Sequence, residues 1–162
     1  MPYRVFTVEE ANALVPHLIE VMARVEARRV EIQRLHDKLQ VLEALWGERV
    51  LDLGNPDREE ALLYHRALES CVRGLEETVE QGIIARGLRF PRGGVENGLV
   101  DFLTTWEGRW VYLCWHRDEP AVQAWHEVNE GFAGRRALTA EHERRMGREG
   151  DPSRMDDSAL DF

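Results

Sequence analysis

Leu14 to Trp46 reads LVPHLIEVMARVEARRVEIQRLHDKLQVLEALW, and this stretch decides the fold. Taken at alternating steps of four and three, Leu14, Leu18, Val21, Val25, Arg28, Ile32, Leu35, Leu39, Leu42 and Trp46 are apolar except for Arg28. A repeat held this long is the seam of a coiled coil rather than the stripe of an ordinary surface helix. From Pro16 to Trp46 such a helix reaches roughly 45 Å, at about 1.5 Å per residue. Its outward positions carry charge of both signs, among them Glu20, Arg24, Glu31, Arg34, Asp37 and Lys38, as a solvated flank does.

Upstream, Thr7 followed by Glu10 has the order of a capping box that opens a helix. Pro16 implies either a kink or a short first helix ending near Leu14, with a longer one starting at the proline. Downstream, Gly47, Gly54, Asn55 and Pro56 break the pattern, and a second helix is expected from Asp57 to near Gly87. Its stripe is Ala61, Tyr64, Leu68, Cys71 or Val72, Leu75, Val79 and Ile83. Joined by a short loop, the two helices are expected to fold back as an antiparallel, coiled-coil-like hairpin over residues 7–87. The second helix is the shorter, which leaves apolar surface for a second copy or a protein partner. An interaction or oligomerisation module is therefore the first functional expectation. A di-iron bundle is excluded, because none of the six histidines has Glu three residues before it. His17, His36 and His65 read as flank residues, and Cys71 as a small hydrophobe in the stripe.

The chain has 162 residues, with 21 Lys or Arg against 30 Asp or Glu, a formal charge of −9. Such a balance argues against general nucleic-acid binding, which needs a basic footprint. Lys38 is the only lysine, so Schiff-base chemistry has a single exposed candidate and a phosphate-loop lysine has none. No apolar run approaches the roughly 20 residues of a membrane span, and Met1-Pro2-Tyr3-Arg4 lacks a signal peptide's apolar region. A cytoplasmic protein without membrane contact is expected, with Cys71 and Cys114 as free thiols.

Candidate chemistry lies between Gly98 and Arg136, where four of the five tryptophans fall and the helical period stops. Leu99–Thr105 and Arg109–Trp115 are rich in β-branched and aromatic residues around Glu107-Gly108, which predicts a β-hairpin over 98–116. A turn centred there sets Asp101 opposite Cys114. Val100, Phe102, Val111, Leu113 and Trp115 then share an apolar face, and Asp101, Leu103, Trp110, Tyr112, Cys114 and His116 the other. Carboxylate, thiolate and imidazole are zinc-ligand types, and three protein ligands leave one position open, as in a catalytic site. A one-residue slip of the turn dissolves the group. Glu119-Pro120 reads as the start of a short helix over 120–131, with Val122, Trp125 and Val128 as its packing stripe. On that helix His126 and Glu130, four residues apart, could chelate a metal, with Glu119 bending back toward them.

Gly98-Leu99-Val100-Asp101-Phe102, Leu113-Cys114-Trp115, Glu119, Trp125-His126 and Glu130-Gly131-Phe132-Ala133-Gly134-Arg135 resemble an uncharacterised bacterial family catalogued as domain of unknown function 2203. Phe6-Thr7-Val8-Glu9-Glu10-Ala11-Asn12-Ala13-Leu14 is similar to that family's start, so the resemblance covers roughly residues 3–138. It implies a helical hairpin with a small β-containing end and no established activity; labels tying relatives to cell division rest on coiled-coil character. His116 stands where the family more often has Arg, which leaves Asp101, Cys114, Glu119, His126 and Glu130 as the candidate ligands of zinc or another divalent metal. The same residues also fit a packed, hydrogen-bonded core, or thiol chemistry at Cys114. Arg135 and Arg136 are candidate anion ligands, or partners of nearby acids.

The fold expected is thus mainly α: one domain over 1–138, with the hairpin, the β-hairpin and the short helix. Residues 147–162 read as a disordered tail. Its acidic, Leu- and Phe-ended tip offers a further function, as an adaptor that docks on a partner.

Overall fold

The computed structural model describes residues 3–160. The chain divides into two compact units, a helical one spanning Ala23–Glu80 and one built from the segments up to Met22 and from Gln81 onward. Helix α1 (Val8–Trp46, 39 residues) runs through both. Among the described residues, no helix is long and apolar enough to cross a membrane.

In the helical unit the heptad positions do the packing. Val25, Leu35, Leu39 and Leu42 are buried and Ile32 and Trp46 half-buried. Helix α2 (Arg58–Gly82) supplies Ala61, Tyr64 and Leu68 to a cluster with Leu39, Leu42, Trp46 and Val50. Each leucine so covered contributes about 1.5–3 kcal/mol. Arg28, the misfit in the seam, stays exposed and lays its guanidinium over Gly74; a Cβ there would sit 2.7 Å from Arg28 Cζ. Lys38 reaches over the Tyr64 ring, 5.3 Å from its centroid, and Trp46 Nε1 donates to Asp57 Oδ2 at 2.7 Å. These pairings, 28 with 74, 38 with 64 and 46 with 57, make the two helices run in opposite directions. A 3-10 turn at Gly47–Leu51 begins the connection.

In the other unit, Thr7 caps α1 by accepting from Glu10 N at 3.1 Å. The helix continues unbroken through Pro16, neither ending near Leu14 nor restarting. Pro16 is exposed while Val15 and Leu18 beside it are buried, and that burial outweighs the roughly 3 kcal/mol cost of an interior proline. His17 is half-buried, its Nε2 3.1 Å from the Gly82 carbonyl.

Among the described residues, five strands form an antiparallel meander in chain order: β1 (Leu88–Arg89), β2 (Leu99–Trp106), β3 (Arg109–His116), β4 (Ala124–Glu127) and β5 (Arg136–Ala137). A single helical turn, α3 (Gly94–Asn97), lies between β1 and β2. Glu107 and Gly108, both at positive φ, make the tight turn between β2 and β3. The resulting register sets Asp101 opposite Cys114, Phe102 opposite Leu113 and Val100 opposite Trp115. The face carrying Val100, Phe102, Val111, Leu113 and Trp115 is fully buried. Phe6 meets Phe102 edge-on at 5.3 Å, and Thr104 Oγ1 donates to the Phe6 carbonyl at 2.7 Å.

The helix expected over 120–131 is absent. Ala124–Glu127 instead pairs with β3, Tyr112 opposite His126 and Leu113 opposite Trp125. Spacings of three among Val122, Trp125 and Val128 imitate a helical stripe, but Val122 N is held by Asn12 Oδ1 at 2.8 Å and the segment completes the sheet. Tertiary pairing overrides the local pattern.

The C-terminal segment is also not loose. Helix α4 (Ala140–Arg145), capped by Thr139, places His142 beside Trp106 and Trp125, 4.5 and 5.3 Å away. Gly147, at φ +76, passes over the Phe6 carbonyl, whose oxygen a Cβ would meet at 2.3 Å, so only glycine fits. Gly147 N donates to the Thr105 carbonyl, Thr105 Oγ1 to that of Glu149, and Trp110 Nε1 to Asp157 Oδ1. Met155 and Leu160 pack on Leu103, Trp110 and Tyr112. The last two residues of the expected tail, Asp161 and Phe162, lie outside the described residues.

Candidate metal centre

The sheet assembles the site from four strands. Register alone puts Arg89 of β1 beside Asp101 of β2, Asp101 beside Cys114 of β3, and Tyr112 beside His126 of β4. All point to the face opposite the Phe102 side. One ligand atom each from Asp101, Cys114 and His126 lies within 4.8 Å of the others. The three side chains are at most 1% exposed.

Hydrogen bonds fix the imidazole. His126 Nδ1 donates to the Glu127 carbonyl at 2.7 Å, since a carbonyl can only accept, and Nε2 therefore faces Asp101 Oδ1 at 3.0 Å. The second carboxylate oxygen, Oδ2, accepts from Arg89 Nε and Nη2 at 3.4 and 3.3 Å. Arg89 also stacks on the Tyr112 ring at 3.8 Å.

Burial opposes charge on His126, but the Asp101 carboxylate and the Glu127 carbonyl outweigh it, so the imidazole's pKa is raised above its ordinary value. Burial first, and Asp101 second, push the Cys114 thiol well up, against a smaller pull from Arg135. These shifts favour the protonated imidazole at His126 and the neutral thiol at Cys114.

The other expected ligands are elsewhere. Glu119 closes the β3–β4 connection, accepting from His116 N at 2.7 Å and pairing with Arg135 Nη2 at 2.5 Å. Glu130 takes Arg136 at 2.9 Å and accepts from Glu127 N. With β4 in place of a helix, the four-residue spacing of His126 and Glu130 no longer puts them on one face. His116 turns its Nδ1 to the Asp118 amide and stays outside the cluster. Arg135 also donates to the Cys114 carbonyl at 3.1 Å; its buried Nε has no acceptor among the described residues. Arg136, paired to Glu130, lies over the Trp125 ring. Sequence reasoning misses Arg89, because a two-residue strand leaves no periodic signal.

Asp101, Cys114, Glu119, His126, Glu130 and Arg135 of this corner are among the residues of the resemblance noted above, and the sequence profile of the family described as uncharacterized conserved protein (DUF2203) matches residues 4–138. The chain belongs to that family. The DUF2203 match takes in α1, α2, all five strands and every candidate ligand, and ends before α4. No curated protein and no solved structure gives a significant match.

Proposed function

We propose that the DUF2203 domain binds a divalent metal, zinc by ligand type, through Asp101 Oδ1, Cys114 Sγ and His126 Nε2. The observation that carries this is the anchoring of His126: Nδ1 is tied to the Glu127 carbonyl, which leaves Nε2 turned to the carboxylate and thiol. Metal-bound histidines are held in this way, by a carbonyl or carboxylate on the other ring nitrogen. Ligand atoms around tetrahedral zinc stand roughly 3.3–3.8 Å apart for bonds of about 2.0–2.3 Å. The Asp101–His126 pair is already at 3.0 Å, and the remaining separations, at most 4.8 Å, need a contraction of up to about 1.5 Å. A dication entering as the thiol and Nε2 each lose a proton leaves the local charge unchanged. Three protein ligands leave a position for water or a substrate atom, the arrangement of hydrolytic rather than structural sites.

Elemental analysis of protein purified without an affinity tag tests this, with about one equivalent of metal expected. Cobalt(II) added to chelator-treated protein should give a thiolate-to-metal absorption band that Cys114→Ser abolishes. Absence of both metal and band makes the cluster a buried ion pair and removes the reading.

A second reading, association through the helical pair, is favoured by Val30, Val41 and Leu45 of α1, which are 59–68% exposed. Steps of eleven and four keep these three on one side of the helix. Sedimentation should show a concentration-dependent dimer that Val41→Arg dissociates; a monomer at all concentrations removes it.

A further inference from the structure

On the sheet face that also carries Asp101 and Cys114, Leu103, Trp110 and Tyr112 form an apolar patch that is almost fully buried, at 1%, 4% and 1% exposed. Its cover is thin. Of Asp151 to Leu160, only Met155 and Leu160 are even half-buried, while the other eight are exposed. Among the described residues, Trp110 Nε1 donates to Asp157 Oδ1 of the segment at 2.9 Å, and Met155 and Leu160 flank this bond against the floor. It is reached through two glycines at positive φ, Gly147 and Gly150. A large apolar floor under a weakly held strap is the arrangement in which the strap opens locally without unfolding what lies beneath. The family profile ends at residue 138, so the strap lies outside the DUF2203 match.

We propose that the Leu103–Trp110–Tyr112 face is a docking surface for a short acidic peptide, and that Asp151–Leu160 is its resident occupant, displaced when a partner peptide binds. The partner's chemistry is read from the occupant: a carboxylate for Trp110 Nε1, with large apolar side chains two residues before it and three residues after it. The acidic segment, expected from sequence to dock on something else, thus shows which surface receives such a segment. The inference does not depend on the metal reading, since the floor and the strap use side chains other than Asp101, Cys114 and His126.

The test uses the full chain carrying Met155→Ser and Leu160→Ser, with a fluorescein-labelled peptide of the Asp151–Leu160 sequence as probe. The released variant should raise the probe's anisotropy saturably. The unaltered chain should bind at least tenfold more weakly, because its own segment competes at the high effective concentration of a tether. Equal binding by the two chains, or no binding by a variant of unchanged circular dichroism, would overturn the proposal. So would loss of the variant's helical signal, which would make the segment part of the core. In the unaltered chain, amide hydrogens of residues 148–160 should exchange before those of β2 and β3; a single concerted exchange step would also overturn it.

Discussion

Cys114 and Cys71 make opposite environments for the same side chain. Cys114 is buried on the sheet, with its thiol pushed toward the neutral form by desolvation and then by Asp101. Cys71 lies half-exposed on α2. Thiolate is the reactive form and needs access. In chelator-treated native protein one thiol should therefore react with Ellman's reagent at an ordinary surface rate, and the second at least tenfold more slowly. Both should react rapidly in denaturant, and Cys71→Ala should remove the fast phase alone. Two fast phases would mean that the sheet does not enclose Cys114. The opposition of Asp101 and Cys114 is legible in the sequence, because Glu107-Gly108 is a strong turn signal that fixes every pair along β2 and β3. His126 stands out by residue type alone, and its place in the cluster is not legible, since the residues around it imitate a helix.

Among the elements, legibility follows length. Helix α1 is readable because its apolar period persists over five heptads, long enough to survive Arg28 and Pro16. Four-residue β4 and two-residue β1 and β5 are not, because they are too short to carry a period of their own and are defined only by pairing with the neighbouring strands. The C-terminal strap escapes a sequence reading for a related reason: its polar composition predicts a solvated end, while a few spaced apolar residues suffice to seat it. Arg28 gives the helical pair a test. Exposed and pressed over Gly74, it interrupts an otherwise apolar seam. Arg28→Leu should stabilise the pair by about 1 kcal/mol, the worth of a partly buried leucine. A higher urea midpoint at unchanged slope is the expected reading, and an unchanged midpoint would show that the seam has no room there.

For the molecule as a whole, these groups set the pH at which the metal-free fold is firmest. His126 has a raised pKa in the folded chain, so its contribution is complete below about 6.5 and is lost as the pH rises through the folded value. The groups facing it are Asp101, Arg89, Cys114, Tyr112 and Glu127. Cys114, also raised, adds a loss above about 9. Glu127, held down by Arg109, works in the other direction: its contribution is present above about 4.5 and lost as the pH falls. Self-repulsion of a chain at −9 also eases on mild acidification. Urea midpoints in the presence of a chelator should peak between about pH 5 and 6.5 and decline toward pH 8.5. His126→Gln should flatten that decline. A maximum at pH 8 or above would contradict the imidazolium–carboxylate pairing.

The seating of Phe6 has a consequence for how the chain is made. Its amide donates to Leu103, its carbonyl receives Thr104, and Gly147 closes over the same carbonyl. Residues 23–80, by contrast, pack among themselves. On the ribosome the helical pair can close as soon as its own residues have emerged, while the first turn of α1 must wait for a glycine some 140 positions later. The first turn of α1 is thus locked later than the helical pair that follows it in the chain, and the sheet unit is sealed only once Gly147 is in place.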